Sequence, residues 1–151
     1  MDYQDRRILQ ILQNDGRASA SFISENIGLS IPAVTDRIRK MQDSGIIKGF
    51  QVIVDSRILG YDVAAFITIV SESSANFHKV IKNAENNKEV IKCYTTTGTG
   101  SHILYVITKN TSSLEILLRE IQSWPGVTRT ITNLVLSSYK DYDKIPLEET
   151  I

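Results

Sequence analysis

The first part of the chain runs on a helical period. Between Asp5 and Asn14 the apolar residues Ile8, Leu9, Ile11 and Leu12 fall on one side of a helical wheel, which predicts an amphipathic helix. The stretch SASFISENIGLSIPAVTDRIRKMQDSG, Ser19 to Gly45, predicts two more helices about a glycine turn. Ser19 or Ser21 caps the first, which is expected to bury Phe22, Ile23 and Ile27 and to stop at Gly28. Ser30 caps the second, and Pro32 sits in its first turn, where a missing N–H costs nothing. Val34, Ile38 and Met41 then recur at i, i+4 and i+7 as its buried stripe. After Gly45 the run IIKGFQVIVD turns strand-like, so the helical unit ends there.

From Asp62 the order of patterns is strand, helix, strand, strand, helix, strand. The segments are DVAAFITIVS, ANFHKVIKNAENN, VIKCYTTT, SHILYVIT, SLEILLREIQS and VTRTITNLVLSS. A capping box at Ser112 and Glu115 is expected to open the second helix, and Trp124-Pro125-Gly126 to close it. This is the split βαβ order of ferredoxin-like domains. The fold class is therefore α+β: an N-terminal three-helix helix-turn-helix domain, winged-helix-like, and a C-terminal ferredoxin-like βαββαβ domain. The expected boundaries are 1–50, a connecting strand and linker at 51–61, and 62–151. In the first strand Val63, Ala65, Ile67 and Ile69 alternate with Ala64, Phe66 and Val70, so both faces are apolar. Helices on one face leave the other to be covered, most economically by a second copy.

A helix-turn-helix puts its second helix into the major groove of double-stranded DNA. The candidate contact set is Ser30, Ile31, Pro32, Ala33, Thr35, Asp36, Arg37, Arg39 and Lys40, with Arg17, Ser19 and Lys48 beside it. Charge tempers this reading. Lys plus Arg equals Asp plus Glu at 17 each, and residues 1–50 hold seven basic against six acidic side chains. One copy should bind DNA weakly, and useful affinity requires linked copies. Asp36 faces phosphate with the wrong sign; it either accepts from cytosine N4, orients Arg39 or Lys40, or is simply solvated.

No catalytic or metal constellation stands out. Cys93 is the one cysteine and lies in a strand-like run, where a core role is expected. His78 and His102 have no ligand spacing, and no cofactor is expected. No apolar run has bilayer length and MDYQDRR is too polar for a secretory signal, so the expectation is a cytoplasmic protein with no membrane partner. The glycine-bearing turn Thr97, Gly98, Thr99, Gly100 and Ser101, followed by His102, is explained either as a tight hairpin or as a ligand site.

The stretches LQNDGRAS, IGLSIPAVTDRIRKMQDSGIIKGF and LGYD resemble, in order and spacing, the leucine-responsive and asparagine-operon regulators, the Lrp/AsnC or feast/famine family. The most specific parts are Val34, Arg37 and Ile38 and the segment from Gly45 to Gly49. The resemblance implies a DNA-binding transcription regulator and no enzyme. It implies dimers that assemble further, commonly four dimers to an octamer, and a free amino acid held at the turn from Thr97 to Ser101. Many relatives carry an aspartate where this chain has Ser101 and a bulkier residue where it has Gly100. Serine there looks more like the asparagine-responsive branch, so asparagine or another small polar amino acid is the expected effector. Two alternatives stay open: an effector-independent nucleoid-architectural protein on the same scaffold, and an enzyme subunit built on the ferredoxin-like half.

Overall fold

A computed structural model describes residues 1–147. The chain resolves into two compact units, Met1–Ile53 together with the chain from Asp141, and Val54–Lys140. The expected boundary after residue 50 lies three residues before the observed one. The larger difference is at the other end, where the tail expected with the ferredoxin-like half groups with the helical one.

The first unit contains α1 (Tyr3–Asn14), α2 (Ala20–Ile27) and α3 (Ile31–Asp43). Each starts at a side-chain cap that satisfies an otherwise free N–H. Asp2 and Asp5 form a reciprocal capping box on α1, Ser19 accepts from Phe22 N, and Ser30 accepts from Ala33 N. Gly28, at φ 73°, ends α2 in a left-handed conformation. Ile8, Ile23, Val34 and Met41 form the buried centre, with Leu9, Leu12, Ile27, Ile38 and Ile47 packed around it. Phe22 is 51% exposed, contrary to expectation. On a helix this short, Ile23 and Ile27 at i, i+4 define the inner stripe and Phe22 lies about 100° off it.

No strand forms between α3 and residue 62 among the described residues, so the expected connecting strand is not formed. A strand needs a partner strand for its backbone groups, and Gln51 to Asp55 pairs with none among the described residues. The segment ends in a turn that Asp55 caps by accepting from Arg57 N and Ile58 N. The tail lies along α1 within the first unit. The Gln13 carboxamide donates to Ile145 O at 3.1 Å and accepts from Ile145 N at 2.6 Å, while Lys144 Nζ donates to Asn14 at 2.8 Å.

The second unit is β1 (Val63–Ser71), α4 (Phe77–Asn86), β2 (Val90–Thr95), β3 (His102–Thr108), α5 (Thr111–Ser123) and β4 (Val127–Leu134). The strands form one antiparallel sheet in the order β2-β3-β1-β4, the ferredoxin-like arrangement. Ala65, Ile67 and Ile69 of β1 and Leu104 and Val106 of β3 point under the helices, against Val80, Ala84, Leu114, Leu117, Ile121 and Trp124. Cys93 is half-buried at the margin of this core, where burial and then Glu85 raise its thiol above the usual range. Asn110, and not Ser112, caps α5: its side chain accepts from Ser113 N at 2.9 Å, so the helix begins at Thr111. Glu115 is thereby free to pair with Arg119 at 2.7 Å. The expected strands VIKCYTTT and VTRTITNLVLSS end early, at Thr95 and Leu134, each followed by one further backbone bond, Thr96 N to Ser101 O and Val135 N to Ala64 O.

The opposite face of the sheet carries nothing from its own unit. Alternation along the strands puts Phe66, Tyr105, Ile103, Tyr94 and Ile131 there. Phe66 and Tyr105 are cross-strand partners with ring centroids 5.1 Å apart, and Phe66 is 46% exposed.

Candidate DNA-binding face and ligand turn

On α3 the buried stripe Val34, Ile38 and Met41 leaves Pro32, Ala33, Thr35, Asp36, Arg39 and Lys40 on the other side, with Ser30 and Ile31 at the N-terminal end. Thr35 Oγ1 donates to Ile31 O at 3.0 Å and keeps its lone pairs for an outside donor. Asp36 bridges two cations: Arg39 donates to Oδ1 at 2.6 Å, and Lys40 lies 2.8 Å from Oδ2. Lys40, then Arg39, hold its carboxyl below the usual range. Arg17, Ser19 and Lys48 are exposed on other segments of the same unit.

Arg37 has a different place from its neighbours. Its guanidinium reaches Asp2 and Asp5, both at 2.7 Å, and so ties α3 to the capping box that opens α1. The Asp5 N–H first, and Arg37 second, keep the Asp2 carboxyl low. Arg37 thus holds α3 against the start of α1 instead of projecting from the outer face of α3. Asp2 and Asp5 are functional partners that local pattern does not reveal, because they lie more than thirty residues upstream.

The turn between β2 and β3 is closed by Thr96 N donating to Ser101 O at 3.0 Å. Thr97, Gly98 and Thr99 project at its tip and are exposed. Gly98 has φ 103°, which a side chain strains. Gly100 is needed for a different reason: a Cβ there would lie 2.3 Å from Thr68 Cγ2 and 2.7 Å from Ile69 O. That carbonyl accepts from Ser101 N at 2.8 Å, so β1 pins the turn.

His102 is fully buried and cannot line an open site, which corrects its place among the ligand contacts. Its alternation on β3 points it inward, edge-on to Phe77 at 4.8 Å. It acts through its neighbour instead. Its Nδ1 lies 2.7 Å from Ser101 Oγ, which is 3.2 Å from Ser71 Oγ. Its Nε2 is buried with no hydrogen-bond partner, and burial lowers its basicity. Ser71 and Phe77 were not legible as members of this site, since only sheet pairing and helix packing bring them to it.

Among the described residues no group of three or more His, Cys, Asp or Glu is placed to hold a metal. Among the same residues no helix is long and apolar enough to cross a membrane.

The winged helix-turn-helix DNA-binding family matches residues 1–48, and the Lrp/AsnC ligand binding domain matches residues 63–145. This chain belongs to the Lrp/AsnC family. Its relatives include the HTH-type transcriptional regulator FL11 of Pyrococcus horikoshii, 37% identical over 98% of this chain and 97% of that protein. The regulatory protein AsnC of Haemophilus influenzae is 42% identical over 87% of this chain and 89% of its own length. The solved structure of E. coli AsnC superposes with a TM-score of 0.84 at 30% identity, over 100% of this chain and 97% of that one. A regulator from Neisseria meningitidis, solved as an L-Met complex, shares the fold with a TM-score of 0.91 at 23% identity, over 97% of this chain and 96% of that one. The chain is a DNA-binding transcriptional regulator with a ligand-binding domain.

Proposed function

We propose that this regulator binds operator DNA as a homodimer and higher assembly, commonly an octamer, and that a free amino acid held at the Thr97–Ser101 turn modulates the binding. The observation that carries the reading is the turn itself. Exposed threonines and glycine backbone are presented there without any carboxylate, and Ser101 is held in a chain of hydroxyls from Ser71 to His102. Such a site offers neutral hydrogen bonds, which favours asparagine or another small polar amino acid over a bulky apolar one. That a structural neighbour was solved with L-Met supports the class of ligand.

Assembly rests on the uncovered sheet face. Phe66, Tyr94, Tyr105 and Ile131 form an apolar surface, and Val52, Ile53 and Val54 are exposed in a segment that pairs with no strand among the described residues. A second copy laid against these surfaces joins two α3 helices, which offsets the weak electrostatics of one. A regulator of transcription with no spanning helix among its described residues works in the cytoplasm, with its DNA.

The test is a thermal-shift screen of the purified protein against the common amino acids, repeated as DNA-binding titrations with each hit. A ligand bound only by the folded protein raises stability by about 2.7 kcal/mol at a hundredfold excess over its dissociation constant. Asparagine or a small polar neighbour should rank first and change DNA affinity. If no amino acid shifts either readout, the turn is structural and the effector-free architectural reading replaces this one.

A further inference from the structure

Taken at about 100° per residue, Asp36 lies about 180° from the midpoint of Val34 and Ile38. It is therefore the centre of the outward face, and Arg39 and Lys40 flank it about 60° and 40° to either side. A carboxylate at the middle of a DNA-facing helix repels phosphate, yet here each of its oxygens already holds a cation, at 2.6 and 2.8 Å. The two side chains of α3 best placed for the DNA backbone are thus neutralised within the same helix.

We infer that Asp36 is a specificity-determining residue that competes with phosphate for Arg39 and Lys40, suppressing binding to random DNA. Exposed ion pairs at i, i+3 and i, i+4 are weak, so the cations are held but not locked. On random duplex, a phosphate must displace Asp36 to gain each cation, and the carboxylate stays behind to repel it. On the correct site, Arg39 reaches a base edge that compensates for the lost pair, and Asp36 can keep Lys40. The near-neutral composition of residues 1–50 then has a purpose: the non-specific term, which is almost wholly electrostatic, is kept small so that sequence decides occupancy.

Asp36→Asn keeps the size and outward position of the side chain and removes its charge. Anisotropy titrations of the full chain between about 50 and 200 mM salt should use a labelled random duplex and a duplex selected from a random pool. Affinity for random DNA is expected to rise about three- to tenfold at the low-salt end, and the slope of log K against log salt to steepen by about one to two per α3 helix. The ratio of selected to random affinity should fall. Adding Arg39→Gln and Lys40→Gln to Asp36→Asn should abolish the steepening, while Asp36→Glu, which still reaches both cations, should stay near wild type. Asp36→Ser repeats the measurement with a smaller side chain, and circular dichroism checks the fold of each variant. An Asp36→Asn protein that loses affinity for the selected duplex alone, with an unchanged salt slope, would make Asp36 a direct reader of a base and overturn the inference. Unchanged affinity and slope on both duplexes would overturn it too.

Discussion

Gly100→Ala tests how β1 pins the ligand turn. The added methyl carbon would sit 2.3 Å from Thr68 Cγ2 and 2.7 Å from Ile69 O, where carbon contacts prefer roughly 3.5–4.0 Å. Thr68 can yield only by leaving its rotamer, and a β-branched side chain in a strand has few to choose from. The Ile69 carbonyl cannot yield cheaply either, because it holds Ser101 N at 2.8 Å. Overpacking of this kind costs about 1–3 kcal/mol and the strained hydrogen bond about 1 kcal/mol, so the expected destabilisation is about 2–4 kcal/mol. Trp124 is the one tryptophan and is buried in the core of the second unit, so its fluorescence during urea or thermal unfolding reports that unit specifically. At fixed protein concentration the thermal midpoint should fall by at least about 8 °C, from roughly 4–8 °C per kcal/mol for a domain of this size. Gly98→Ala provides the contrast. It meets nothing within 4 Å, so only its backbone conformation is strained, by about 1–3 kcal/mol. A Gly100→Ala unfolding free energy within about 0.5 kcal/mol of wild type, as at an ordinary surface position, would refute the close approach.

Three further outcomes are expected. His102 is buried with Nε2 unpartnered and resists protonation, so below about pH 6.5 the unfolded chain binds a proton that the folded one refuses; stability is full above that pH and lost as pH falls. Trp124-monitored unfolding from pH 7 to 5 should show a smaller loss in His102→Gln, and an equal loss would clear His102 of the effect. Arg39→Ala should weaken binding to a selected site by roughly 1–3 kcal/mol and flatten its sequence preference in competition assays, whereas Arg37→Met should lower helical-unit stability and weaken all DNA alike. Phe66→Glu, which puts a charge on the open sheet face, should leave sedimentation at the monomer position and carry a loss of DNA affinity with it; an assembly unchanged by this substitution would remove the sheet face from the interface.

The elements themselves were readable because their causes are local. Ser19 and Ser30 cap the helices they precede, Pro32 and Gly28 punctuate them, and the alternation of Ala65, Ile67 and Ile69 marks the buried side of β1. The order of strands and helices then allowed few topologies. The misplaced details are those in which neighbouring residues compete for one role: Asn110 displaced Ser112 as a cap, and Ile23 displaced Phe22 from the core.

The site depended on contacts between residues far apart in the chain, which no periodicity encodes. Arg37 reads as one more cation of a docking helix until folding brings Asp2 and Asp5 within 2.7 Å of it. His102 reads as a ligand contact until pairing with Ile69 turns it inward and leaves Ser101 as the group it acts through. Gly98 and Gly100 look alike in sequence, but one is required by its own backbone angle and the other by a carbonyl of β1. Local sequence determined where helices and strands lie, because capping and amphipathic burial act over a few residues. Tertiary structure decided which charges meet, which side chain is shielded from water and which turn is pinned to a neighbouring strand, because each depends on a partner supplied by another element.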